Sequence, residues 1–215
     1  MTAAELLRAD LRFIADLIPD GSRVLDLGCG DGALLAHLRE TRGCTVRGVD
    51  ISTAGVTGCV TRGIPVIQAD LDGGLRDLPD DSFDVIVLSQ TLQEVHNVRH
   101  LIAEVARVAQ RSIVSYPNFG YAPARLRLGL RGRMPVSESL PHQWYDTPNV
   151  HFTTIRDFRL LVAEAGLTLE REFAFRVSHE VVRQVRLAPN LRAELAVSVV
   201  SRSLDPRPPG SPRTT

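Results

Sequence analysis

One stretch constrains this chain more than any other: Arg23-Val24-Leu25-Asp26-Leu27-Gly28-Cys29-Gly30-Asp31-Gly32. Val24, Leu25 and Leu27 form a short apolar run with a β-branched member, which suits a strand buried on both faces. Three glycines follow at alternate positions, and Ala33-Leu34-Leu35-Ala36-His37-Leu38-Arg39-Glu40 then returns to good helix formers. The pattern predicts a strand, a tight glycine turn and a helix. Glycine reaches positive φ without strain and lacks the Cβ that would hold a ligand off the backbone. The new helix points its unpaired N–H groups at the same place. Taken alone the turn is degenerate, because Gly28, Gly30 and Ala33 also fit the dinucleotide pattern G-x-G-x-x-G/A.

The segments that follow decide between the alternatives. Thr45-Val46-Arg47-Gly48-Val49 is a second apolar segment and ends at Asp50, placed to accept hydrogen bonds from two ribose hydroxyls. A third, Ile64-Pro65-Val66-Ile67-Gln68-Ala69, ends at Asp70, where a carboxylate can accept from an adenine amino group. Leu78 to Leu88 then supplies a turn and a fourth strand, with the lead-in Asp81-Ser82-Phe83-Asp84. In this order the chain resembles the class I S-adenosylmethionine (SAM)-dependent methyltransferases. The resemblance implies an α/β fold: a seven-stranded, mostly parallel, Rossmann-like sheet with the last strand antiparallel. It also implies SAM or S-adenosylhomocysteine as ligand. Its contacts are expected from Asp26, Gly28, Cys29, Gly30, Gly32, Asp50, Ile51, Asp70, Leu71 and Gln90, with no metal. An NAD-dependent oxidoreductase is the competing reading, but Asp70 and the D-x-F-D lead-in have no role in one.

At 215 residues the chain is long enough for one domain with a sizeable core. No apolar run reaches the length of a transmembrane helix, and Met1 to Asp10 lacks the basic-then-apolar order of a secretory signal. Cys29, Cys44 and Cys59 are odd in number and lack C-x-x-C spacing. They read as reduced thiols of a cytoplasmic protein, without a disulfide framework or a zinc site. Cys29 is expected to serve as a small residue of the loop. The net charge is zero, yet residues 1–120 hold 11 arginines against 16 acidic residues, and residues 121–215 hold 14 against 9. Part of the second half is therefore expected to meet something anionic or acidic. A sequence pI near 7.0 argues against a nucleic-acid-binding domain.

Thr2-Ala3-Ala4-Glu5 is a capping box, and Leu7, Leu11, Ile14 and Ile18 recur at helical spacing, so a leading helix is expected over a sheet face or the mouth of the site. The second helix is expected from about Asp31 to Thr41; Ser52 should cap the third, which ends near Arg62-Gly63. In the methyltransferases that the chain resembles, the stretch after the fourth strand, here Ser89 to His96, lines the methionine end of the ligand and the acceptor mouth, which implies that place for Gln90. His96 is a candidate general base, since imidazole titrates near neutrality, or an exposed cap to the next helix. Leu101, Ile102, Val105 and Val108 make a core stripe, and Ser112 to Tyr116 a fifth strand.

Residues 117–150 depart from a minimal domain of this kind and read as an insert. Arg125, Arg127, Arg131 and Arg133 fall in a stretch with no acidic residue from 121 to 136. Leu126, Leu128 and Leu130 alternate, yet Leu126 and Leu130 also match helical spacing, so periodicity leaves the local structure open. Pro135, Pro141 and Pro148 break any long element, and the chain's one tryptophan, Trp144, sits beside Tyr145. Beyond the insert, Thr154 and Asp157 resemble a capping box and Gly166 closes the helix. Leu167–Phe175 and Glu194–Ser201 are the sixth and seventh strands. The domain is expected to span residues 1–203, followed by a Pro-rich disordered tail over 204–215.

From Leu11 to Arg202 the chain also resembles the MetW family of methionine biosynthesis. The glycine stretch carries the likeness together with Ser89-Gln90-Thr91-Leu92-Gln93 and Ser115-Tyr116-Pro117-Asn118-Phe119-Gly120. Leu130-Arg131-Gly132-Arg133-Met134-Pro135-Val136 and Trp144-Tyr145-Asp146-Thr147-Pro148-Asn149-Val150-His151 complete it. Asp50 stands where family members often carry Glu; either acid can hold a diol. The resemblance implies an accessory partner of homoserine O-acyltransferase. Arg125, Arg127, Arg131 and Arg133, with Trp144 and Tyr145, are residue types suited to an interface and are expected to meet it, with a solvated basic loop and an acceptor-pocket lid as the alternatives. Whether the chain also transfers a methyl group to a small molecule stays open at the level of sequence.

Overall fold

Strands of five to nine residues with apolar side chains on both faces can only be satisfied at the centre of a sheet covered by helices on either side. The computed structural model, which describes residues 9–178 and 181–202, has that arrangement. Its elements run α1 (Ala9–Leu17), β1 (Arg23–Leu27), α2 (Ala33–Arg42), β2 (Thr45–Asp50), α3 (Thr53–Thr61), β3 (Val66–Gln68), β4 (Phe83–Ser89), α4 (Val98–Val108), β5 (Ala109–Pro117), α5 (Ala122–Arg131), α6 (Ile155–Glu164), β6 (Leu167–Ser178), β7 (Val181–Gln184), α7 (Pro189–Arg192) and β8 (Leu195–Arg202). The proposed Thr2–Glu5 capping box and the Pro-rich tail lie outside the described residues.

The sheet order is β3-β2-β1-β4-β5-β8-β6-β7. The first five strands in that order pair in parallel, and β8 runs antiparallel between β5 and β6. This is the expected fold class with its antiparallel last strand, and it carries one strand more than expected. The addition is β7, which pairs antiparallel with β6 at the sheet edge. Four residues paired on one side only give no burial period, so the sequence does not announce such a strand.

The period-two alternation of each strand divides the core into two layers. In β4, Val85 and Val87 face the layer of Ile14, Ile18, Leu34, Leu35 and Leu38 from α1 and α2, while Ile86 and Leu88 face Leu101 and Val105 of α4 and Phe158 of α6. Tyr116 and Phe158 are fully buried there, ring centroids 4.5 Å apart. The α4 stripe of Leu101, Ile102, Val105 and Val108 is buried as expected. Thr154 Oγ1 accepts from Asp157 N–H at 3.2 Å and donates to its Oδ2 at 2.7 Å, closing the reciprocal cap of α6. Asp84 of the D-x-F-D lead-in accepts from the Arg23 backbone N–H at 2.8 Å and from its guanidinium at 2.7 Å, tying the start of β1 to β4. That acid therefore secures the strand end opposite the glycine loop.

The insert begins with a helix. Pro123 in the first turn of α5 and Gly132 in the left-handed conformation after it delimit the element. No helix among the described residues is long and apolar enough to cross a membrane.

Candidate functional site

Parallel strands leave a crevice at their carboxyl ends where neighbouring connections diverge. Here β1 delivers Gly28, β2 delivers Asp50 and β4 delivers Gln90 to that crevice, and a cavity of about 250 Å³ opens between them. The three loop glycines all have positive φ, +74° at Gly28, +54° at Gly30 and +75° at Gly32, but for different surroundings. A Cβ on Gly28 would lie 2.4 Å from Thr91 Oγ1, and one on Gly32 would lie 2.8 Å from Cys59 Sγ. A Cβ on Gly30 would meet nothing within 4 Å. Gly28 and Gly32 thus serve close packing, and Gly30 presents bare backbone to open space.

Asp50 is buried and organises this loop. Its Oδ2 accepts from Gly30 N–H at 2.7 Å and its Oδ1 from Ser52 N–H at 2.8 Å. An ionised carboxylate offers about four lone-pair sites, so both oxygens keep acceptor capacity toward the cavity. Ile51, the next residue, is 65% exposed on the cavity rim, an aliphatic surface with no protein cover. Asp70 stands across from it at the end of β3; its Oδ1 caps the short 3₁₀ turn Leu71–Gly73 through Asp72 N–H at 2.9 Å. Leu71 lines the cavity between them.

Gln90 holds φ +55°, a left-handed conformation that costs a non-glycine residue on the order of 1 kcal/mol or more. Its N–H donates to Ser115 O at 3.0 Å, its carbonyl accepts from Gln93 Nε2 at 2.6 Å, and its side-chain amide donates to Asp10 Oδ2 at 3.0 Å. Helix α1 therefore does both things expected of it: Ile14 and Ile18 cover the sheet and Asp10 reaches the mouth.

Among the described residues the cavity is lined by carboxylates without a cationic side chain: Asp50, Asp70, Asp72 and Glu94, with Ser89, Thr91, Ala69 and Val95 beside them. Beneath it, Asp26 is 3% exposed and its Oδ1 has no hydrogen-bond partner among the described residues. Burial, reinforced by Asp50, pushes the Asp26 carboxyl up to about 8. Desolvation and Asp50 also raise Glu94. Burying a carboxyl without a partner is unfavourable unless a ligand completes its shell.

Of the sequence candidates, Gly28, Asp50, Ile51, Asp70, Leu71 and Gln90 come together on the cavity wall. Gly30 adjoins it through Asp50. The Cys29 sulfur turns away, 3.6 Å from Cys59 Sγ and packed on Gly48, and burial keeps both thiols protonated. His96 is exposed; its Nδ1 lies 2.9 Å from Asp72 Oδ2, and it is not part of the cavity wall. Asp72 escaped the sequence reading, and Thr91 and Glu94 belong to the stretch expected at the mouth without having been singled out in it. Asp72 lay in a glycine-rich segment read only as a loosened loop. Thr91 is placed by its hydrogen bond to Leu27 O at 2.9 Å, a contact between segments far apart in the chain.

An adenosyl sulfonium ligand fits these residues. It carries two cations, a sulfonium and an ammonium, against one carboxylate, which suits an acidic cavity. The two phosphates of a dinucleotide would instead face four carboxylates.

Comparison with known proteins agrees with this geometry. The family model for "Methionine biosynthesis protein MetW" matches residues 8–200. The bifunctional methionine biosynthesis protein MetXA/MetW of Rhodopirellula baltica is 37% identical over 205 residues, covering 91% of this chain and 33% of that protein. The chain thus spans a third of that relative's length. Among solved structures, a SAM-dependent methyltransferase of Thermotoga maritima, described as a possible histamine N-methyltransferase, superposes with a TM-score of 0.68 at 17% identity, over 91% of this chain and 88% of the other. Magnesium protoporphyrin IX methyltransferase of Synechocystis, solved with bound S-adenosylhomocysteine, gives 0.62 at 18% identity, over 91% and 81%. At such identities the structural matches show a shared fold.

Proposed function

The chain belongs to the methionine biosynthesis protein MetW family, and from that premise we propose that it binds SAM in the acidic cavity and acts with homoserine O-acyltransferase. The observation that carries the ligand half is the cavity wall itself, four carboxylates and no cation among the described residues, with the buried Asp26 Oδ1 left without a partner among them. In this reading Asp50 accepts from the ribose hydroxyls, Asp70 from the adenine amino group, and Ile51 lies against the base. Gly30 lets the ligand rest on bare backbone. Bound SAM would supply an electrophilic methyl group on its sulfonium. The partner half draws support from the Rhodopirellula relative, in which a MetW part shares one chain with a MetXA part. A domain of a methionine-synthesis family that binds a methionine derivative is well suited to end-product sensing.

Methyl transfer to a small molecule is the second reading, favoured by Glu94. Glu94 stands on the cavity wall with its carboxyl raised by desolvation and by Asp50, and a raised carboxylate is a stronger base than one at its usual value. One experiment addresses both. The purified chain is mixed with homoserine O-acyltransferase, and complex formation, acyl transfer with and without SAM, and S-adenosylhomocysteine release are followed together. A complex whose acyl-transfer rate responds to SAM supports the proposal. Turnover of SAM without any complex replaces it with the second reading.

A further inference from the structure

We propose that α5 together with the Trp144–Tyr145 pair forms one docking surface, shaped for an acidic face with an apolar centre on the acyltransferase partner. This assignment rests on the partnership proposed above and adds the place where it is made. Helix α5 has ten residues and buries only Ala124. Isolated helices of this length are marginal in water and need tertiary packing. At 100° per residue, Leu126 and Leu130 share the side turned away from Ala124, and they are 57% and 81% exposed. The helix therefore carries an apolar stripe that none of the described residues covers.

The charges around the stripe are equally unspent. Arg125, Arg127, Arg131 and Arg133 make no ion pair among the described residues, whereas Arg23, Arg62, Arg107 and Arg159 each meet a carboxylate. Just beyond α5, Met134 and Pro135 line a narrow apolar crevice with Leu140, Phe119 and Phe152, and Trp144 stands at its edge. Trp144 and Tyr145 are each 70% exposed and pack edge to face, ring centroids 5.6 Å apart. Arginine, tryptophan and tyrosine are the residue types enriched at interface hot spots. Among the described residues the cavity wall contains none from 117–150, and His142 of the insert reaches it only as a charge acting on Glu94. What remains is a basic rim around apolar anchors, complementary to an acidic partner face.

Binding of purified homoserine O-acyltransferase to the immobilised chain, followed in real time, tests this. Arg125→Glu with Arg127→Glu should slow association about tenfold at low salt, with the difference shrinking near 1 M salt. Trp144→Ala should weaken the complex about 30-fold, chiefly through faster dissociation. Leu126→Asp with Leu130→Asp should do the same. SAM binding and the melting temperature, measured on each variant, should match wild type and so confirm that it is folded. Wild-type affinity in all three variants overturns the assignment while leaving the partnership intact. Failure of the wild-type chain to bind the acyltransferase overturns the partnership and the assignment with it. The surface is also reassigned if these substitutions abolish self-association of the chain, or its capture by phosphatidylglycerol vesicles, in place of partner binding.

Discussion

Two alanine substitutions, two residues apart in the same loop, separate what the glycines do for the fold from what they do for a ligand. Gly28 and Gly30 both have positive φ, so alanine at either costs about 1–2 kcal/mol of backbone strain. At Gly30 the new methyl meets nothing within 4 Å, and that strain is the whole cost to stability. At Gly28 the methyl would sit 2.4 Å from Thr91 Oγ1, forcing Thr91 from its 2.9 Å hydrogen bond to Leu27 O. Losing that bond in a buried site adds about 1–3 kcal/mol. Urea unfolding should therefore rank Gly28→Ala as the more damaging by about that margin. SAM titration should reveal the opposite kind of defect in Gly30→Ala: a folded protein whose affinity is at least tenfold weaker, about 1.4 kcal/mol. If Gly30→Ala binds SAM as tightly as wild type, the open space above Gly30 is not the ligand's, and the glycines serve the turn alone.

Asp26 predicts a pH dependence. Its folded-state value of about 8 lies above the ordinary 3.8, so the folded chain binds the extra proton and ligand-free stability should fall as pH rises from about 4 to about 8. Thermal melts should show that slope in wild type and its loss in Asp26→Asn; a slope unchanged by the substitution refutes the assignment. A cationic ligand favours the ionised form, so SAM affinity should rise toward pH 8 in wild type and stay flat in Asp26→Asn. Ile51→Ala, trimming an already exposed side chain, should leave the melting temperature unchanged and weaken SAM binding roughly fivefold, about 1 kcal/mol of lost apolar contact. Phe158→Ala, in a fully buried site against Tyr116, should cost about 3–5 kcal/mol in urea unfolding without altering SAM affinity relative to folded protein.

The parts of the fold visible in the sequence are those in which one local rule decides. The glycine loop, the strand ending at Asp50, the short strand two residues before Asp70, and the caps at Ser52 and Thr154 each follow from a few adjacent residues. Ser52 does accept from Gly55 N–H, at 3.4 Å. The insert was ambiguous because arginine and leucine alternate there while also matching helical spacing. Pro123 and Gly132 were the better signal, a proline in the first turn and a glycine just after the last. Edge strand β7 had no such signal. The acidity of the cavity was hidden for another reason: Asp26, Asp50, Asp70, Asp72 and Glu94 come from four separate segments, and only the sheet order brings them together. His96 had the right chemistry in sequence, but the structure sets it off the cavity wall, with its ring against Asp72, which does line the cavity.

The central claim is that an acid-lined cavity at the ends of β1, β2 and β4 takes an adenosyl sulfonium and not a dinucleotide. Calorimetric titration of the chain with SAM and, separately, with NAD⁺ tests it most directly. The account predicts saturable one-to-one binding of SAM, weakened about tenfold to a hundredfold in Asp50→Ala as a charge-assisted acceptor worth roughly 1.5–3 kcal/mol is removed, and no heat from NAD⁺. Binding of NAD⁺, or SAM affinity indifferent to Asp50, would contradict it.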